Sequence, residues 1–283
     1  MMQIGIRLHD MPGNTFQERV DAAANAHFEC VHLALSKAVQ EYPYGKEALT
    51  PGYASFLRKT FEKAGMDISI FGCYQNLANP NPEKLKNIQE MYIRSLMFSK
   101  WLGATVVGTE TGSVTEDYRP GPYDLTDEAL DRFIEGLFPV VEAAEKFGGI
   151  IAIEPVCYHI VSSAKRARKV LDTIHSPNLK IIYDQVNMVD AENYTRIDSL
   201  IDEYLELLGD EIACVHIKDS VIRDGKRVSV PTGRGIMPED AYRKIIRFLK
   251  DHKPFSYVSF ESSGLEDSIY GRDLLRRLEQ EIS

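Results

Sequence analysis

Eight short, β-branched apolar runs recur along this chain, each followed by a longer amphipathic stretch, and that alternation is its strongest constraint. The runs are MQIGIR (2–7), FECVHLAL (28–35), DISIFGCY (67–74), ATVVGTE (104–110), GIIAIEP (149–155), LKIIYD (179–184), IACVHIKD (212–219) and SYVSFES (256–262). They are apolar along most of their length rather than cleanly alternating, as strands of a parallel sheet are when both faces are covered. The stretches between them have helical spacing. Ile88, Met91, Tyr92, Leu96 and Leu102 predict one buried face over 83–102. Thr126, Asp127 and Glu128 open a helix that runs to Phe147 and stops at Gly148-Gly149. A third helix is expected over 238–252, with Pro238 as its first helical residue and Ala241, Ile245, Phe248 and Leu249 as its stripe.

Eight strand-helix units in 283 residues average roughly 35 residues each, which fits a single (β/α)8 barrel domain over 1–283. A doubly wound open sheet is the structural rival. Its dinucleotide-binding version is unsupported, because the first run is followed by HDMPGN and not by a glycine-rich phosphate turn. Two connections are long, 111–125 after the fourth run and 220–237 after the seventh. In a barrel both lie on the catalytic face, as walls or lids of a site.

Composition narrows the function. With 44% hydrophobic and 27% charged residues the chain has material for a large core. The net charge of −9 argues against a nucleic-acid partner, which needs a basic footprint. No apolar run approaches a membrane span, and MMQIGIRLHDMPG lacks the pattern of a secretory signal, so the expected location is the cytoplasm. Cys30, Cys73, Cys157 and Cys214 form no CxxC or Cys/His cluster and read as buried, reduced thiols.

Four ligand-type residues end four consecutive runs: Glu154 after GIIAI, Asp184 after KIIY, His216 after IACV and Glu261 after YVSF. Their separations of 30, 32 and 45 residues are two single strand-helix units and one unit lengthened by the 220–237 loop. Consecutive barrel strands bring these ends around one rim. Three carboxylates meeting there raise one another's pKa unless a cation holds them. One imidazole among carboxylate oxygens suits Mn²⁺, Mg²⁺ or Co²⁺, with Zn²⁺ also able to bind. Such an ion polarises a carbonyl and stabilises a developing enediolate. Taken singly, each residue is as readily explained by a helix cap or an ion pair; the series of four points to metal.

These motifs (IEP at 153–155, YDQVN at 183–187, VHIKD at 215–219, GRG at 233–235 and SFES at 259–262) resemble the xylose isomerase-like superfamily. The likeness is to its sugar phosphate isomerase/epimerase group, with tagatose 3-epimerase, inosose dehydratase and endonuclease IV among the relatives. The resemblance covers nearly the whole chain. It implies a (β/α)8 barrel and a divalent-metal-dependent isomerase or epimerase of a sugar or sugar phosphate, in which Glu154 and Glu261 work on opposite faces of the substrate carbon. Two positions depart from the epimerase pattern: Asn187 stands where a D-x-x-H motif has its histidine, and Ile222 stands where an arginine is expected, with Arg223 one residue on. Relatives resembling inosose dehydratases imply the alternative, loss of a β-hydroxyl on the same metal site. An abasic-site endonuclease would need more strand-end histidines than His9 and His216 and a positive surface, and a non-catalytic sugar-binding barrel would not need two facing glutamates.

Other residues are expected to contact substrate. Lys218 shares a strand face with His216, or else pairs with Asp219 or another rim acid. Arg223 and Arg234 lie in the long seventh loop, with Gly233 and Gly235 giving a ligand or a tight turn close access to backbone. His9, Gln75 and Asn76 follow the first and third runs, Glu110 ends the fourth, and Asn187 follows Asp184. His159 is expected to be solvated. A homo-oligomer is compatible with such a barrel, although no residue demonstrates an interface.

Overall fold

A computed structural model describes residues 2–282 and contains a closed parallel barrel. Its strands are β1 (Gln3–Arg7), β2 (Cys30–Leu33), β3 (Asp67–Gly72), β4 (Val106–Glu110), β5 (Ile151–Glu154), β6 (Leu179–Asp184) and β7 (Ile212–Ile217). An antiparallel hairpin of β8 (Asp219–Arg223) and β9 (Lys226–Val230) then interrupts the series before the last barrel strand, β10 (Tyr257–Phe260). The barrel order β1-β10-β7-β6-β5-β4-β3-β2 is sequential around the ring.

The helices are α1 (Phe16–Asn25), α2 (Leu35–Ala38), α3 (Pro51–Lys63), α4 (Pro82–Leu102), α5 (Asp127–Phe147), α6 (Ala164–Ile174), α7 (Ile197–Leu208), α8 (Glu239–His252) and α9 (Leu265–Glu281). Local chemistry sets their ends. Asn81 caps α4 by accepting from the Glu83 and Lys84 N–H groups, and Thr126 caps α5 by accepting from Ala129. Gly103 and Gly148 end these helices in the left-handed conformation. Pro238 is not the first residue of α8 as expected. Its ψ of 150° is extended, so it is the N-cap and the helix starts at Glu239. No helix among the described residues is long and apolar enough to cross a membrane.

The 220–237 segment is likewise no open loop. Val221 pairs with Val228 and Arg223 with Lys226 across a turn in which Asp224 and Gly225 both have positive φ. Asp-Gly between two β-forming triplets is a turn signal of the type favoured in two-residue hairpins.

Strand alternation prepares the site. Inside the barrel Ile70, Val106, Ala152, Ile182 and Cys214 form a small apolar layer of their own. Two residues further along their strands, on the same inward face, stand Glu154, Asp184 and His216. A single-atom change tests how tightly the outer ring packs. Gly136, inside α5, presses against the carbonyl of Leu77, where an added Cβ would collide. Gly136→Ala gains about 1 kcal/mol of helix propensity, but overpacking costs about 1–3 kcal/mol. We expect a lower urea midpoint with an unchanged slope.

Candidate metal and substrate site

The four residues expected at strand ends do converge. Glu154, Asp184, His216 and Glu261 are all buried, and each offers a donor atom within 4.8 Å of the other three. They lie on β5, β6, β7 and just beyond β10, so Glu154 and Glu261 flank the arc with Asp184 and His216 between them. His216 Nδ1 is 3.1 Å from Glu154 Oε2 and 3.3 Å from Glu261 Oε1.

Three cations balance three acids. Lys218 Nζ lies 2.7 Å from Asp184 Oδ2 and 2.7 Å from Glu261 Oε2, and Arg7 Nη1 lies 3.2 Å from Glu261 Oε1. Burial works against the imidazolium of His216, but Glu154 and Glu261 outweigh it and raise its pKa to about 9. For Glu154 burial dominates and lifts the carboxyl to about 7 despite His216. Burial pushes Glu261 the same way, yet Lys218, His216 and Arg7 together hold it well below the usual carboxylate range. Two similar carboxylates are thereby driven apart in acidity.

The donor set fits a divalent cation. Both ring nitrogens of His216 and Asp184 Oδ2 are buried with no well-directed hydrogen bond, although ionic partners stand close to Nδ1 and Oδ2. Proximity without alignment is what ligand atoms aimed at a common point give. The remaining oxygens are tied down: Asn187 Nδ2 donates to Glu154 Oε1 at 2.7 Å, and Asp184 Oδ1 accepts from the Val186 and Asn187 N–H groups. Asn187 therefore orients a metal-type ligand. Lys218 pairs with Asp184 and Glu261, and not with Asp219.

Other expected contacts are distributed unevenly. Glu110 pairs in register with Glu154 and faces His159 Nε2 at 3.6 Å. His159 is buried, its Nδ1 3.0 Å from the Gly112 carbonyl, which corrects the expectation that it is solvated. His9 sits in the turn after β1, edge-on to His32, and burial followed by the Arg7 charge lowers its pKa to about 4. Gln75 is half-buried, with its backbone N–H and carbonyl both bonded to the Tyr92 hydroxyl. Asn76 is no hydroxyl contact: its amide donates to the Ser113 and Thr115 carbonyls and accepts from Ala78 and Ser113, which saturates it and fastens the 111–125 loop. Arg223 is exposed at the hairpin end, and exposed Arg234 lies 3.8 Å above the Tyr270 ring and 3.4 Å from Asp267 on α9. Cys30, Cys73 and Cys214 are buried free thiols, while Cys157 is only half-buried.

Three residues escaped sequence reasoning. Arg7 closes β1 at the level of Glu261, one step beyond the Ile6–Phe260 pair, so a cation ending the first run was the available signal. His32 hides within FECVHLAL, yet it points inward and stacks on His216 at 5.1 Å with the rings 6° apart. Asp219 is fully buried and accepts from the Ser220, Gly235 and Met237 N–H groups and the Tyr242 hydroxyl. It anchors the return of the seventh loop, where a Cβ on Gly235 would strike the Ser220 carbonyl and Asp219 itself.

Residues 20–278 match the family model for the xylose isomerase-like TIM barrel. Among solved structures, a D-tagatose 3-epimerase-like protein superposes with a TM-score of 0.77 at 17% identity over 99% of this chain and 98% of its own. The IOLI protein with a bound zinc atom gives 0.75 at 16% identity over 100% and 99%. A probable 3-DHS dehydratase of petrobactin synthesis from Bacillus anthracis gives 0.72 at 15% identity over 98% and 99%. No curated protein matches the sequence significantly.

The role of Asp219 is open to direct test. Asp219→Ala leaves buried N–H groups unpaired and is expected to cost about 3 kcal/mol. Limited proteolysis of the variant should cut first within 231–237.

Proposed function

Because the chain belongs to the xylose isomerase-like TIM barrel family, we propose that it is a divalent-metal-dependent isomerase or epimerase of a sugar or sugar phosphate. The observation that carries this reading is the convergence of Glu154, Asp184, His216 and Glu261 within 4.8 Å, with His216 left without a well-directed partner. Manganese is the proposed ion; magnesium, cobalt and zinc share the required preferences. A divalent cation held there supplies Lewis-acid polarisation of a carbonyl and a neighbouring hydroxyl.

The protein's own groups then move the proton. Glu261, kept ionised by Lys218 and Arg7, is suited to remove a proton from the carbon beside the carbonyl. Glu154, across the arc, is suited to deliver one to the opposite face. Asn187 fixes the direction of Glu154, and Lys218 is placed to donate to an oxygen that gains charge. Return of the proton to the same carbon gives epimerisation; return to its neighbour gives isomerisation. Loss of a β-hydroxyl as water, with Glu154 giving a proton to the departing oxygen after Glu261 has taken one from carbon, would give dehydration, the second reading. We place the protein in the cytoplasm, where its free thiols stay reduced.

Glu154→Gln and Glu261→Gln should each abolish metal-dependent deuterium incorporation from D₂O into a ketose substrate while keeping the native circular dichroism; Glu261→Gln should also lower the thermal midpoint, because it leaves Lys218 and Arg7 short of a counter-charge. Substantial exchange by either variant on a turned-over substrate would remove the two-face mechanism.

Metal uptake should also be coupled to pH. A ligating imidazole must be neutral, whereas His216 holds its proton up to about 9 in the metal-free protein. Affinity for Mn²⁺ is therefore expected to fall as pH drops below about 9, by about tenfold per unit. Calorimetry in buffers of different ionisation enthalpy should record proton release on binding.

A further inference from the structure

The metal site accounts for contact with only two or three substrate atoms, yet a cavity also opens on the same rim of the barrel. It has a volume of about 470 Å³ and is lined by Tyr158, Asp190, Glu192, Lys226 and Arg227, among others. That is within the range of roughly 300–1,000 Å³ of ordinary small-molecule pockets. Its walls are the loops after β5 and β6 and the hairpin β8–β9, all issuing from the strands that carry Glu154, Asp184 and His216.

The connection to the site is direct. Cys157 N–H donates to the carbonyl of Asn187 at 2.7 Å, the residue whose side chain holds Glu154. Tyr158 follows and is 48% exposed. Arg227 stands with its guanidinium carbon 5.4 Å from the Tyr158 ring centroid and has no carboxylate within ion-pair distance among the described residues. The hairpin thus holds an unpaired cation over an exposed aromatic face.

We propose that this cavity is a subsite for a second, uncharged sugar ring, so that the substrate is a glycoside or disaccharide-sized ketose and not a bare monosaccharide. The proposal rests on the sugar-enzyme reading given above. Its chemistry favours a polyol over a phosphate. Hydroxyls both donate and accept, and the lining supplies donors on Lys226 and Arg227 together with carboxylates on Glu192 and on Asp190, whose Oδ1 already accepts from the Glu192 and Asn193 N–H groups. A phosphate pocket would concentrate positive charge, and these two acids oppose that. The part of the Tyr158 ring left exposed beside Arg227 supplies an apolar surface for the C–H face of a ring.

The test is calorimetric titration of the Mn²⁺-loaded full chain with D-fructose, with isomaltulose (fructose carrying a glucose ring) and with fructose 6-phosphate. Isomaltulose should bind about tenfold more tightly than fructose. That ratio should fall to about one in Tyr158→Ala, persist in Tyr158→Phe and shrink in Arg227→Met. Equal affinities for isomaltulose and fructose would overturn the subsite while leaving the enzyme reading intact. Tightest binding by fructose 6-phosphate, lost in Arg227→Met, would overturn it in favour of an anion site. Failure of all three to bind would overturn the sugar reading itself, and the subsite with it.

Discussion

Three carboxylates buried at one end of a barrel cannot all stay ionised unless positive charge meets them there. Glu154, Asp184 and Glu261 are in that position, and the surrounding structure is arranged around the requirement. His216 on β7, Lys218 at its end and Arg7 at the end of β1, which also bonds Asp10, bring positive charge to the three acids. The balance is specific as well as neutral. Lys218 and Arg7 both pair with Glu261 and neither pairs with Glu154, whose pKa burial raises. The asymmetry that acid-base chemistry on two faces of a carbon needs is thus present in the protein before any ion binds. A divalent ion entering this set would take the place of the proton on His216, and the residues that balance one another's charge would be its candidate ligands.

The barrel makes the crowding affordable in steric terms. Small residues occupy inward positions beside the site: Gly5 lies against Cys30, and Gly108 against Ile70 and Ile182, with no room for a Cβ at either. A parallel ring with side chains in alternate layers places the polar tier above the apolar one without a further device. The loops then add what the strands cannot. Asn76 fastens the fourth loop, Asp219 fastens the seventh, and the hairpin within the seventh closes one side of the distal cavity.

The sequence made the periodic part of this architecture legible. Eight apolar runs became the eight barrel strands to within a few residues, and the residues ending the last four became one cluster, because both follow from a period of two and a repeating unit. What was not legible depended on contacts across the ring. His32 looked like one more residue in an apolar run, since nothing local shows that it stacks on His216. Arg7 gains meaning only from register with β10. Asn76 had the type of a hydroxyl-binding residue, but its amide is consumed by backbone 37 and 39 residues away. The hairpin in the seventh loop could have been read from Asp224-Gly225, a local signal obscured by treating the whole segment as a lid.

We propose that the four strand-end residues ligate one divalent ion, with Lys218 as the counter-charge that yields to it. Anomalous diffraction at the manganese edge, from crystals grown with Mn²⁺, tests this most directly. The account predicts a single peak about 2.0–2.6 Å from donors on Glu154, Asp184, His216 and Glu261, with the Lys218 ammonium moved away from Asp184. A map without a peak there, and with that ammonium still bridging Asp184 and Glu261, would contradict it.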